Sequence, residues 1–222
     1  MKGLFLAGFV VLGASAFAAP VDDFLTGSYN SGSFTSGSVS AWVNAGGALG
    51  GIRYSNLAIT ANPFIGDAKT RVITTPGILE VSTDTEVDTA FKLGYGFASL
   101  SSTPASSPLN LDWSATSLLD VTFRTNDLAQ QVTATIFTNG GASSFTRTLN
   151  IAGGITSAFP QTYSFDFSTD AASLTDVDAV TFDFDPAAGG DFSLTSINTV
   201  PEPMSLAVLA IGAAALLRRK KK

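Results

Sequence analysis

The strongest constraint on the fold is a repeated alternation of apolar and polar residues with a period of two. The stretch from Leu119 to Phe123 places Leu119, Val121 and Phe123 on one side, with Asp120 and Thr122 on the other. This alternation is typical of a β-strand that buries one face. The same pattern recurs at 132–136, 163–168, 180–184 and 192–195.

Residues 20–199 are predicted to form an all-β domain. Further strands are predicted at 38–43, 52–60, 70–75, 78–82 and 89–95, and glycine-containing turns at 139–141, 152–154 and 185–190. About ten short strands, each with one buried face, predict an antiparallel β-sandwich, jelly-roll-like in its organisation. The stretches 30–40 and 98–108 are predicted surface loops.

The opening of this domain at 21–24 and its close at 191–194 are predicted as its first and last strands. These two stretches resemble the termini of galactose-binding-like and other carbohydrate-binding sandwiches. The resemblance assigns no binding residue.

Composition excludes several classes of function. The 222 residues include no Cys and no His. Disulfides, thiolate nucleophiles, Cys-based zinc sites and histidine-dependent catalysis are therefore excluded. Residues 20–199 contain 17 acidic and 6 basic residues, a net charge of −11. Because such a surface repels phosphate backbones, no nucleic-acid partner is expected.

The N-terminus has the layout of a secretory signal peptide. Lys2 precedes an apolar run at 3–13, and Ala16-Phe17-Ala18 forms an A-x-A pattern. We predict a signal peptide over 1–19, cleaved after Ala18 or Ala19. The alternatives are a buried helix or a retained anchor, for which the run is short.

The C-terminus has three ordered parts at 200–222. Pro201-Glu202-Pro203 comes first, and a 14-residue apolar stretch, Met204–Leu217, follows. The chain then ends in the basic cluster Arg218, Arg219, Lys220, Lys221 and Lys222. Two prolines end a helix and keep the preceding segment extended, and the positive charges favour the cytoplasmic side. The alternative is a plain C-terminal anchor.

This arrangement resembles the PEP-CTERM sorting signal of Gram-negative bacteria. The resemblance implies that Met204–Leu217 is a short transmembrane helix, and that an exosortase recognises and processes the tail. It further implies transient anchoring in the inner membrane, then a place at the cell surface or in the biofilm matrix, with exopolysaccharide as an expected partner.

Two candidate ligand sites come from the sequence. Asp183, Asp185 and Asp191 flank a predicted turn and could hold a structural calcium ion, although the spacing does not match an EF-hand. The alternative is solvated charge at strand ends, with no cofactor. Trp113 follows the loop at 98–108 and could stack on a sugar ring, whereas its alternation with Leu111 favours the core.

The leading interpretation is an exported surface or matrix protein with a noncatalytic β-sandwich. The alternative is an extracellular carbohydrate-binding module. The third is a glycoside hydrolase that uses a pair of Asp residues, which would require two carboxylates roughly 5–10 Å apart across a cleft. No catalytic residue is assigned.

Overall fold

The computed structural model describes residues 19–97, 108–116 and 118–200. The predicted signal peptide before Ala19, residues 98–107, and the predicted tail with Pro201–Pro203 and Arg218–Lys222 lie outside the described residues. The strands are β1 (Ala19–Asp22), β2 (Tyr29–Asn30), β3 (Ser38–Asn44), β4 (Ile52–Ala61), β5 (Ala68–Ile73), β6 (Ile78–Thr83), β7 (Asp88–Tyr95), β8 (Leu118–Asn126), β9 (Gln130–Thr138), β10 (Ser143–Ile151), β11 (Gln161–Asp166), β12 (Val177–Pro186) and β13 (Phe192–Val200). Two short 3₁₀ helices lie at Leu49–Gly51 and Ser168–Ser173. Within these ranges, no helix is long and apolar enough to cross a membrane.

The strands form two antiparallel sheets, which confirms the predicted β-sandwich. The seven-stranded sheet has the order β11-β8-β13-β6-β5-β2, and β1 also pairs with β13. The six-stranded sheet has the order β10-β9-β12-β7-β4-β3. Ala19 lies opposite Thr199, so the first and last strands are neighbours in this sheet.

The core lies between the sheets and is rich in phenylalanine. Phe123 and Phe192 come from the seven-stranded sheet, whereas Phe91 and Phe184 come from the six-stranded sheet. The rings of Phe184 and Phe192 stack with centroids 5.1 Å apart, and Phe123 meets both at 6.2–6.3 Å. The period-two alternation therefore places its apolar members in the core, as expected.

Two strands are absent from the sequence prediction. β2 has only two residues, which are too few to show an alternating pattern in the sequence. β10 alternates, but the face that turns towards the core carries Arg147 between Phe145 and Leu149. The Arg147 guanidinium lies 5.0 Å from the centre of the Phe167 ring, so this basic residue covers an aromatic ring at the sheet edge.

A buried ion pair joins the two sheets. Asp22 in β1 and Arg53 in β4 are 0% and 1% exposed. The Arg53 Nε donates to Asp22 Oδ2 at 2.5 Å, and its NH2 group donates to Oδ1 at 2.7 Å. The hydroxyl of Tyr95 in β7 also donates to Oδ2, at 2.9 Å, and the backbone N–H of Phe24 donates to Oδ1. Every oxygen of this buried carboxylate therefore has partners.

The surroundings of this cluster favour the charged pair. Burial by itself lowers the pKa of Arg53, but hydrogen bonding to Asp22 and the charge of that residue outweigh burial, so the pKa is raised. Burial, together with the Asp22 charge, raises the pKa of Tyr95 well above its ordinary value. Arg53 stays protonated and Tyr95 stays neutral, so the tyrosine remains a hydrogen-bond donor.

The facing rings of Phe165 and Phe182 provide a test of the core. Their centroids are 6.3 Å apart, one in each sheet, and each side chain is at most 1% exposed. Phe165→Ala and Phe182→Ala are each expected to lower the free energy of unfolding by about 3–5 kcal/mol. Thr162→Ala, on the exposed side of β11, is expected to change it by less than about 0.5 kcal/mol. Urea unfolding measures all three, and equal small effects would contradict the assigned faces.

The buried pair provides a second test. Asp22→Asn is expected to lower the free energy of unfolding by about 3–5 kcal/mol, because it leaves the Arg53 charge buried without a counter-charge. The matched control is Asp183→Asn, since Asp183 also pairs with a basic residue but is 43% exposed. That change is expected to cost less than about 1 kcal/mol. Urea unfolding that shows equal costs would contradict the structural role of the buried pair.

Candidate functional site

The outer face of the six-stranded sheet carries a row of polar side chains. Strand register places them side by side across the sheet, in the order Ser40, Asn56, Lys92, Asp183, Thr133 and Thr148. We call this set the polar row. It is polar because these strands bury the alternate residues, so the outward positions are free to carry hydrogen-bonding groups.

Neighbours in the polar row are bonded in pairs. Asn56 Nδ2 donates to Ser40 Oγ at 2.7 Å, and the Thr133 and Thr148 hydroxyls are 3.0 Å apart. Between these pairs, Lys92 Nζ lies 2.9 Å from Asp183 Oδ1, with both side chains 43% exposed. This ion pair is open to water and therefore weak, so a ligand can compete for either partner.

A cavity of about 280 Å³ opens over the centre of the polar row. Its polar lining comes from Asn56, Lys92, Gln131, Thr133, Asp183 and Asp185. Ala90 in β7 contributes a small side chain to the same lining. The cavity combines amide, ammonium, hydroxyl and carboxylate groups, so it can both donate and accept hydrogen bonds.

An aromatic row lies beside the polar row on the same face. It consists of Trp42, Tyr54, Phe97 and Phe137, whose successive ring centroids are 5.1, 6.3 and 6.2 Å apart. Trp42 and Tyr54 are directly opposed on β3 and β4, two residues along each strand from Ser40 and Asn56. The two rows are therefore about 7 Å apart.

Gly94 makes this ring packing possible. It lies opposite Tyr54 in β7, and a Cβ atom there would lie 3.0 Å from the Phe97 ring and 3.1 Å from the Tyr54 ring. A larger residue would push the rings apart, because these distances are shorter than ordinary packing contacts.

In the aromatic row, Trp42 of β3 and Tyr54 of β4 are partly exposed, whereas Phe97 is buried. The Trp42 Nε1 is itself buried and has no hydrogen-bond acceptor among the described residues. The accessible part of Trp42 is therefore its carbon surface. The face thus presents apolar ring surface next to hydrogen-bonding groups.

The predicted calcium ligands do not lie together. Asp183 and Asp185 line the cavity on the six-stranded sheet. Asp191 instead lines a groove on the other sheet, where its Oδ1 accepts a 2.7 Å bond from the Thr83 backbone N–H. Burial raises the pKa of Asp191 despite this bond. Asp191 is apart from the other two because β12 and β13 belong to different sheets. In 19–97, 108–116 and 118–200, no three Asp or Glu residues are grouped to hold a metal ion.

Trp113 is not a surface sugar contact. It is 6% exposed and belongs to the core, and its backbone N–H donates to the Leu174 carbonyl at 2.7 Å. The alternation with Leu111 indicated this outcome. Trp42, which the sequence analysis does not single out, is the tryptophan on an outer face. Its position beside Tyr54 depends on strand register, so no local pattern in the sequence could identify it.

Asp183 and Asp185 are the two carboxylates that line the cavity of this face. They lie on the same face of one strand, separated by one residue. Both carboxylates therefore project from the same strand, and Asp183 is paired with Lys92.

No family model matches the chain, and no curated protein matches it. Among solved structures, it is similar to a family 11 carbohydrate-binding module from Clostridium thermocellum in complex with a β-1,3-1,4-mixed-linked tetrasaccharide, at 14% identity and a TM-score of 0.40, covering 83% of this chain and 95% of that one.

Two further structures are more distant. TmCBM61 in complex with β-1,4-galactotriose matches at 9% identity and a TM-score of 0.32, covering 56% of this chain and 71% of that one. The glycoside hydrolase domain of Endo-D from Streptococcus pneumoniae R6 matches at 12% identity and a TM-score of 0.37, covering 78% of this chain and 21% of that one. At these identities and TM-scores, the similarities assign the chain to no family and support no function for it.

Proposed function

We propose that the sandwich is a noncatalytic glycan-binding domain, and that the outer face of its six-stranded sheet is the binding surface. The observation that carries this proposal is the aromatic row alongside the polar row and its cavity. This differs from the leading interpretation of the sequence, which left the body without a ligand.

The chemistry of the face suits a sugar. A pyranose ring has a C–H surface that packs on an aromatic ring, and hydroxyl groups at its edge that need both donors and acceptors. Trp42 and Tyr54 supply aromatic rings for the C–H surface. Asn56, Lys92 and Asp183 supply donors and acceptors for the hydroxyl groups. Binding sites for small polar ligands commonly combine apolar walls with a few placed polar groups.

The domain is proposed to bind without cleaving. The chain has no His and no Cys, so the common general bases and nucleophiles of these types are missing. The carboxylates of the face, Asp183 and Asp185, project from the same side of a single strand, β12. A glycan would therefore be held without a positioned acid and base on opposite sides of the scissile bond.

A glycan array followed by calorimetric titration tests the proposed face. The purified protein is expected to bind at least one neutral glycan. Tyr54→Leu is expected to weaken that binding at least about tenfold, because it keeps apolar volume but removes the flat ring. Asn56→Ala is expected to weaken it as well, since a hydrogen bond to the sugar is lost.

The matched control is Phe159→Leu, which changes an aromatic residue that is 75% exposed outside both sheets. It is expected to leave affinity within about twofold, which is less than 0.5 kcal/mol. Failure of the array to detect any glycan, or equal affinity for Tyr54→Leu and the parent, would overturn the proposed face. Release of reducing ends from a bound glycan would overturn its noncatalytic character.

We also propose that the protein is exported and sorted through its C-terminal tail by an exosortase-type enzyme. Supporting this are the signal-peptide layout of 1–19 and the three ordered parts of the tail, Pro201–Pro203, the apolar stretch and the basic cluster. After processing, the sandwich would reside at the cell surface or in the matrix, where exopolysaccharide is available to its binding face.

Intact-mass analysis of the mature protein from its native host tests the sorting proposal. The mature chain is expected to lack the signal peptide and the stretch 204–222. Replacing Arg218–Lys222 by Ser is expected to reduce retention of the precursor in the membrane, because positive charge keeps that end cytoplasmic. Mature surface protein that still carries 204–222 would contradict tail processing.

A further inference from the structure

The outer face of the seven-stranded sheet carries a second groove, of about 330 Å³. Its basic side chains are Lys69 and Arg71 from β5 and Arg124 from β8, and its acidic side chains are Glu80 and Asp191. Hydroxyl groups of Ser82, Thr125, Ser157 and Ser193 complete the polar lining. The groove is on the opposite side of the sandwich from the polar row.

The groove concentrates positive charge in an acidic domain. Three of the six basic residues of 20–199 line it, against only two of the 17 acidic residues. It therefore has a formal charge of +1, whereas the rest of 20–199 has a charge of −12. An anion is therefore attracted more to this groove than to the rest of the domain, whose net charge repels it.

In the described part of the chain, fewer of the basic residues of the groove are ion-paired than of those outside it. Arg53, Lys92 and Arg147, which lie outside it, are each paired with an aspartate. Among the described residues, Lys69 and Arg124 take part in no ion pair. Arg71 uses its Nε to bond Glu80 at 2.6 Å, but its side chain is 47% exposed. Its terminal NH2 groups remain available for a second carboxylate.

Several acidic and hydroxyl groups of the groove are held by hydrogen bonds. Asp191 accepts from the Thr83 backbone N–H and, at 3.4 Å, from the Ser82 hydroxyl. The Thr125 and Ser193 hydroxyls bond each other at 2.6 Å. Strand register places Lys69 beside Ser82, and Arg71 beside Glu80, which in turn lies beside Ser193. The basic side chains of β5 and β8 thus lie on either side of the hydroxyl and acidic groups that β6 and the start of β13 contribute.

We infer that this groove binds a carboxylated polysaccharide, with Lys69, Arg71 and Arg124 holding uronate carboxylates and the hydroxyl side chains bonding sugar hydroxyls. A planar carboxylate matches the guanidinium fork of arginine. Single-stranded nucleic acid is also anionic, but its bases need exposed aromatic rings. The aromatic residue in this lining is Phe192, which is 1% exposed. This site is independent of the neutral glycan proposed for the other sheet.

Titration of the full chain with polygalacturonate tests the inference. Binding is expected at low ionic strength and is expected to weaken as salt is added, because exposed charges are screened. The double variant Lys69→Ser/Arg124→Ser is expected to bind at least tenfold more weakly. Arg124→Ser alone is compared with Arg147→Ser, which removes the same charge from the far edge of the other sheet and is expected to change affinity less than twofold. Thermal melts confirm that each variant is folded.

The two binding proposals can fail separately. Tyr54→Leu is expected to retain polygalacturonate binding, whatever its effect on a neutral glycan. Absence of polygalacturonate binding, or equal losses in Arg124→Ser and Arg147→Ser, would overturn the groove as a specific site. Equally tight binding of single-stranded DNA, lost in the same double variant, would show a general polyanion site and overturn the assignment to uronates.

Discussion

The buried ion pair between Asp22 and Arg53 is the constraint on which the arrangement of both sheets depends. A carboxylate and a guanidinium without contact to water are tolerable only when their charges and hydrogen bonds are matched. Here one carboxylate receives bonds from β4, from the Tyr95 hydroxyl of β7 and from the local backbone. Two further N–H groups of Arg53 donate to the carbonyls of Thr26 and Gly27. The first strand of the sandwich is therefore tied to β4 and β7 of the opposite sheet.

This internal pair also determines what appears on the outer surface. Since side chains alternate along a strand, Tyr54 faces outward because Arg53 is buried. In the same way, Gly94 faces outward because Tyr95 is buried, and Gly94 lies opposite Tyr54. A one-residue slip of β4 would bury Tyr54 and Asn56 and expose Arg53, at the cost of an unpaired Asp22 in the core. The aromatic row and the polar row are thus held in register by an interaction on the other side of the sheet.

The two outer faces differ in character, although strands of both sheets have the same alternation. One face presents rings beside amide, hydroxyl and ion-paired groups, and the other presents three basic residues among serines and threonines. Sugars have features that match each face. The C–H faces and neutral hydroxyls of a sugar match the first face, and the carboxylates of uronic acids match the second. A domain with both faces could bridge neutral and acidic strands of a polysaccharide matrix, which joins the two proposals without making either depend on the other.

Local pattern in the sequence was enough to determine the all-β class, most strand positions and the inward side of residues such as Phe165 and Phe182, because burial of alternate side chains is a property of each strand alone. It did not identify β10, whose inward Arg147 is accommodated by the ring of Phe167. Nor could it tell that Trp42 faces outward beside Tyr54, that Asp191 lies beside the other sheet from Asp183, or that Lys69 and Arg124 share a groove. Those relations join residues far apart in the chain, and only the tertiary pairing of strands brings their side chains together.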